Sequence, residues 1–102
     1  MANNMVNYMY NPTFFEWDDS KNRENIDKHG VSFEEAQMAF ADSKLLIKTD
    51  PIHSILEQRF FCYGLVNGKV LTVRFTPRNG KIRIIGAGNW RGGRKIYETY
   101  RR

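Results

Sequence analysis

The sequence predicts an α+β domain whose helices gather on one face of a twisted antiparallel sheet. Three observations lead there. Asn67-Gly68 separates two runs of alternating apolar and polar residues, the pattern of a β-hairpin closed by a type I′ turn. Ser32 followed by Glu35 is a capping box at the head of an apolar stretch, which marks a helix start. The chain has 102 residues, 41% of them hydrophobic and 14% aromatic, enough for one modest core.

In chain order, Met1 to Thr13 is rich in Asn, Met and Tyr without helical or strand periodicity and is expected to be a partly ordered leader, followed by a single domain over 14–102. Phe14, Phe15 and Trp17 make a short first strand. Asp18, Asp19 or Ser20 caps a helix running through Lys28 to a Gly30 stop, its acidic start and its Lys28-His29 end both matched to the helix dipole. The second helix packs Phe33, Ala36 and Phe40 at three- and four-residue spacing and ends near Asp42. Lys44 to Thr49 forms a strand closed by Asp50-Pro51. Arg59 to Val66 and Lys69 to Thr76 are the hairpin strands, Arg78-Asn79-Gly80 is the next turn, and Lys81 to Ala87 completes a meander. Alternation puts Leu71, Val73 and Phe75 on one face and Thr72, Arg74 and Thr76 on the other, where register would let Arg83 join Arg74 on an open surface. After Gly86 to Gly93, Arg94 to Arg102 reads as a short basic helix carrying Ile96, Tyr97 and Tyr100.

The charges are sorted along the chain. Every acidic residue except Glu98 lies between Glu16 and Glu57, and from Gln58 onward eleven Lys or Arg face that single Glu, so the first part carries −5 and the second +10, which sum to the chain's +5. Such a cationic half points to a polyanion, with RNA the first candidate, because neutralising phosphates gains affinity through counterion release. No run approaches the roughly 18 to 20 apolar residues that span a bilayer, and the start lacks the layout of a secretory signal, so a cytoplasmic protein is expected. Cys62, alone among Phe60, Phe61 and Tyr63, reads as core filler. His29 and His53 stand apart without metal-ligand spacing, the basic half offers only Glu98, and helix capping explains Asp18-Asp19, so neither a metal nor a cofactor is expected. Gly86-Ala87-Gly88 follows a strand but lacks the residues of a phosphate-cradling loop.

Metal-free RNA cleavage fits this inventory. The 2′-hydroxyl attacks the adjacent phosphorus, a base takes its proton, cations stabilise the phosphoryl oxygens and an acid protonates the leaving 5′ oxygen. The planar fork of Arg suits phosphate, and Tyr97 or Tyr100 offers a ring to stack on a base.

Phe15-Glu16-Trp17-Asp18, Lys21-Asn22, Asn25, Lys28-His29-Gly30-Val31-Ser32-Phe33-Glu34-Glu35-Ala36, Phe40, Asp50-Pro51, His53-Ser54, Glu57, Arg59-Phe60, Gly64 and Arg83-Ile84-Ile85, in this order, resemble the BrnT family of bacterial toxins over Phe15 to about Tyr97. The resemblance implies a ribonuclease toxin of a type II toxin–antitoxin pair, with a fold like the RelE and ParE toxins, that inhibits translation by cutting RNA. It further implies a BrnA-type antitoxin that binds the toxin and brings operator DNA to the complex. Many members follow the Arg-Ile-Ile stretch with Ser-Ala-Arg, where this chain has Gly86-Ala87-Gly88. Arg59 and Arg83, both in matched stretches and on strands, are the first candidates for phosphate or transition-state ligands, and Lys28 and His29 for positioning or proton transfer. Arg74, Arg91, Arg94, Lys95 and Tyr97 are the candidate RNA-binding residues, while Trp17 and Phe33 are assigned to the core. A non-catalytic module of the same fold, binding RNA or an antitoxin, is the alternative.

Overall fold

The computed structural model describes residues 14–100; the expected leader Met1 to Thr13 lies outside them. The described elements are β1 (Phe15–Glu16), α1 (Asp19–His29), α2 (Phe33–Ala36) continuing into a 3₁₀ segment (Gln37–Ala41), β2 (Leu46–Thr49), β3 (Phe60–Val66), β4 (Lys69–Arg78), β5 (Lys81–Gly88) and α3 (Arg91–Tyr100). All five strands share one sheet in the order β1-β5-β4-β3-β2. The class is α+β, as expected.

Local chemistry sets the element ends. Asp18 is the cap of α1: its carboxylate accepts from the Ser20 and Lys21 amides at 2.9 and 3.1 Å and from the Ser20 hydroxyl at 2.6 Å. Gly30 ends the helix with φ +70, and its amide donates to the Ile26 carbonyl. The Ser32 hydroxyl accepts from the Glu35 amide at 3.0 Å, the first half of the expected capping box. Asn67 and Gly68 take φ values of 49 and 82, as a type I′ turn requires.

The meander holds in register, with Cys62 opposite Val73, Tyr63 opposite Thr72 and Thr76 opposite Arg83. One departure from regular pairing matters. Arg74 faces Gly86 while Phe75 faces Ile84, so Ile85 is an extra residue in a β-bulge. The bulge lets Ile84 and Ala87, three positions apart, both turn inward, and both are buried. On that inner face Leu71, Val73, Phe75, Ile82 and Cys62 pack under Phe33, Ala36 and Phe40, with Trp17 edge-on to Phe33 at 6.1 Å. Burial pushes the Cys62 thiol pKa up, consistent with a packing role.

Three expectations are corrected. The sheet is mixed, because β1 pairs parallel to β5 through Phe15–Ile82 and Glu16–Arg83; the chain crosses from β1 to β5 only after every other strand is laid down. The helices do not gather on one face: α3 packs on the opposite side, joining Tyr97 and Ile96 to Tyr63, Val70, Leu46 and Phe61. That second apolar cluster arises because Tyr63 and Val70 point away from the main core. The last helix also starts at Arg91 rather than Arg94 and takes in Gly92 and Gly93, residues that disfavour helix by propensity. Packing overrides propensity, since a Cβ at Gly93 would overlap the Thr72 hydroxyl and crowd the Tyr63 ring. At an unpacked helical site, Gly to Ala gains about 1 kcal/mol. Gly93→Ala is expected instead to lose about 1 to 3 kcal/mol through overpacking, read as a lower urea midpoint; an unchanged or raised midpoint would disprove the close seat of α3.

Candidate functional site

With α3 over one end of the outer face, the remainder of that face and its border with α1 form a long cleft in three joined compartments. The first, of about 160 Å³, is lined by Lys28, His29, Arg74 and Trp90 among others. The second, about 210 Å³, is lined by Asp18, Arg59, Arg78 and Arg83. The third, about 440 Å³, is lined by Ile52, His53, Ile55 and Leu56. Lys21 and Ile85 line both the first and second, and Glu57 and Arg59 both the second and third, so the three adjoin one another. Along its length six Lys or Arg side chains meet three carboxylates.

The wall next to β5 is held by one buried side chain. Asn25 accepts from the Ala87 amide at 3.2 Å and donates to the Ala87 and Val31 carbonyls, each at 2.8 Å. It thus satisfies the outward backbone groups of β5 beyond the reach of β1 and fixes α1, with Lys21, Lys28 and His29, beside the strand.

The cations of the middle compartment have internal counter-ions. Glu57 accepts from Arg59 at 3.1 Å and from Arg78 at 3.0 Å, and Arg83 pairs with Glu16 at 3.2 Å. The Arg78 hydrogen bond, followed by that of Arg59, holds the Glu57 carboxyl below the ordinary carboxylate range against the opposing effect of burial. A depressed folded pKa means that this contribution to stability is present above the unfolded carboxylate value and is lost as pH falls through the folded one. Arg59 Nε is buried and finds no acceptor among the described residues.

The Asp50-to-Ser54 turn is built onto the root of Arg59. The Asp50 amide donates to the Arg59 carbonyl at 2.8 Å, and the Ser54 hydroxyl accepts from the Arg59 amide at 3.0 Å while donating to the Asp50 carbonyl at 2.6 Å. This places His53 Nδ1 2.8 Å from Asp50 Oδ2. Burial acts to raise the Asp50 pKa, but the hydrogen bond and charge of His53 outweigh it and hold the carboxyl down. A carboxylate only accepts, so Nδ1 is the donor of this hydrogen bond, and in the neutral imidazole Nε2 is the acceptor that remains. His53, set aside in the sequence because no ligand residue accompanies it, is therefore one half of an Asp–His pair beside Arg59. The readable signal was the Asp-Pro-x-His spacing, in which a turn brings positions three apart together.

Of the sequence candidates, Arg59, Arg83, Lys28, His29 and Arg74 line the one cleft. Arg91, Arg94 and Lys95 are exposed on α3 outside it, and Arg94 borders a separate hollow with Lys69 and Glu98. Tyr97, expected to stack on a base, is 2% exposed and its hydroxyl donates to Asp42 at 2.5 Å, so its ring belongs to the second apolar cluster. Lys21, Arg78, Glu57 and Trp90 are among the lining residues that the sequence did not single out. Among the described residues no group of three or more His, Cys, Asp or Glu side chains is arranged to hold a metal ion, and no helix is long and apolar enough to cross a membrane.

An α+β domain with a guanidinium-rich cleft beside an Asp–His pair has the chemistry of a protein that binds and cuts a phosphodiester chain. The family model described as ribonuclease toxin, BrnT, of type II toxin–antitoxin systems matches residues 17–92, and the chain belongs to that family. Membership implies an RNA substrate and an antitoxin partner. No individual curated protein matches the chain significantly.

Glu57 holds two arginines that a phosphate would also draw, so Glu57→Gln is expected to tighten binding of a non-cleavable single-stranded RNA and to steepen the dependence of log K on log salt by about 0.7 per guanidinium released. Titrations at several salt concentrations check this. Weaker binding at every salt would mean that Glu57 orients Arg59 rather than masking it.

Proposed function

We propose that this chain is a metal-independent endoribonuclease that arrests translation in the cytoplasm, built on a RelE/ParE-like fold. The observation that carries the reading is the convergence of Arg59, Arg78 and Arg83 on one compartment with the Asp50–His53 pair at its border. His53 Nε2 takes the proton of a ribose 2′-hydroxyl, and the resulting oxygen attacks the adjacent phosphorus. Arg59 and Arg83 stabilise the charge on the non-bridging oxygens through forked hydrogen bonds. The 5′ oxygen leaves and is protonated from solvent, giving a 2′,3′-cyclic phosphate and a 5′-hydroxyl. Asp50 holds the imidazole in the required tautomer, as the orienting group of a catalytic pair does. Lys28, His29 and Arg74 track the backbone of the same strand further along the cleft. The scheme needs no Lewis acid.

The partner is a BrnA-type antitoxin that binds the toxin directly and carries the complex to operator DNA. Its seat is the rim of the third compartment, where Ile52, Ile55 and Leu56 are exposed to 76%, 86% and 98%. Contiguous apolar side chains left in water at the mouth of a charged site mark a protein-binding surface, and a chain seated there would close Arg59 and His53 to RNA.

Two measurements test these assignments. Purified protein is expected to cut RNA in excess EDTA; Arg59→Ala and Arg83→Ala each lower kcat/KM by about 10²-fold or more, and His53→Ala by about 10² to 10⁴. Full activity of the Arg59/Arg83 double variant would reject the site. Ile55→Asp with Leu56→Asp is expected to leave cleavage intact while abolishing neutralisation by the antitoxin; persistence of a stable complex would place the antitoxin elsewhere.

A further inference from the structure

Trp90 is a large aromatic residue that the cleavage scheme leaves without a role. It is 40% exposed, although its indole lies against the backbone of β5: a Cβ at Gly88 would overlap the benzo ring, so only glycine leaves room for the ring at this position. The imidazole of His29 meets it edge-on, with centroids 5.1 Å apart and planes at 79°. Its backbone is fixed as well, because its carbonyl accepts from the Arg94 amide at 3.1 Å at the start of α3. The ring is thus held from below by a strand, at its side by α1, and along the chain by a helix start, while part of it stays in water. It borders the first compartment together with Lys21, Lys28 and Arg74.

We infer that Trp90, braced by His29 on Gly88, is a nucleobase-stacking subsite at the end of the cleft remote from His53, and that it selects where along an RNA strand the chain is held. The inference rests on the RNA reading above and deepens it. A rigid, partly exposed indole flanked by cations is the arrangement that holds single-stranded nucleic acid, with the base on the ring face and the phosphates on the ammonium and guanidinium groups. The compartment of about 160 Å³ takes one flat ring rather than a folded segment. Its junction with the middle compartment through Lys21 and Ile85 ties the stacked base to the phosphate seat of Arg59 and Arg83, so the subsite sets a register between the base it grips and the bond that is cut.

The test compares the full chain with Trp90→Ala and Trp90→Phe, using fluorescein-labelled 2′-O-methyl RNA, which cannot be cleaved, and an abasic oligonucleotide of equal length. Trp90→Ala is expected to weaken binding of the base-bearing strand roughly tenfold or more, to leave the abasic strand unchanged, and to be largely rescued by Trp90→Phe. Equal loss on both strands, or none on either, overturns the subsite. Should Trp90→Ala fail to fold, quenching of the remaining indole in a Trp17→Phe chain by the base-bearing strand and not by the abasic one supports it, and the absence of quenching overturns it. Because the probe is inert to cleavage, a wild-type chain that binds it in this base-dependent manner yet cuts no RNA would end the nuclease reading and leave the subsite standing.

Discussion

The cleft exists because the outer edge of β5 is closed by two unlike devices. Over its first residues β1 supplies a parallel strand, and beyond it the Asn25 amide takes over, meeting both backbone groups of Ala87 and the carbonyl of Val31. Leaving such groups buried and unpaired would cost about 1 to 3 kcal/mol each, so the amide anchors α1 firmly against the strand. That anchoring turns a helix of largely polar composition into a cleft wall. Lys21, Lys28 and His29 project from a helix whose own propensity and apolar content would not hold it in place.

The electrostatics of the cleft follow from the need to keep like charges together in a folded protein. Glu57 lies between two guanidinium groups and Glu16 against a third, which removes much of the repulsion among them. These side chains are about one-third exposed or somewhat more, so solvent screens the pairs and their net contribution to stability is small. Their consequence is positional: each guanidinium is held in place by a carboxylate, so an arriving anion would not have to order a loose side chain. The Asp50-to-Ser54 turn applies the same economy to His53, since the bonds that tie the turn to the Arg59 backbone also aim the imidazole.

Features written in contiguous residues were legible in the sequence. The Asn67-Gly68 hairpin, the Ser32 cap, the Gly30 stop and the inward set of Leu71, Val73 and Phe75 rest on local rules that tertiary contacts here reinforce. Arg59 and Arg83 could be singled out, yet their meeting in one compartment depends on the pairing of Arg83 with Thr76 and on the hydrogen bond from the Thr76 hydroxyl to the Gln58 carbonyl at 2.6 Å. The position of α3 was not legible, because an Ile96-Tyr97 stripe fits either face of a sheet equally well; the outward apolar side chains of Tyr63 and Val70 decided it. Trp90 was hidden for a related reason. The Gly86 to Gly93 segment reads as a loose glycine run, whereas its glycines make room for an indole at Gly88 and for a hydroxyl at Gly93.

By itself the amino-acid order determined the α+β class, the meander, the first two helix starts and the concentration of positive charge in the second half, because each follows from interactions between residues a few positions apart or from simple counting. Only the tertiary structure decided which of those charges share a cleft, that Asp50 orients His53, that Tyr97 is buried and that Trp90 is not. Those outcomes turn on sheet register, a one-residue bulge and close backbone approach, and a shift of one position in any of them sends a side chain to the other face.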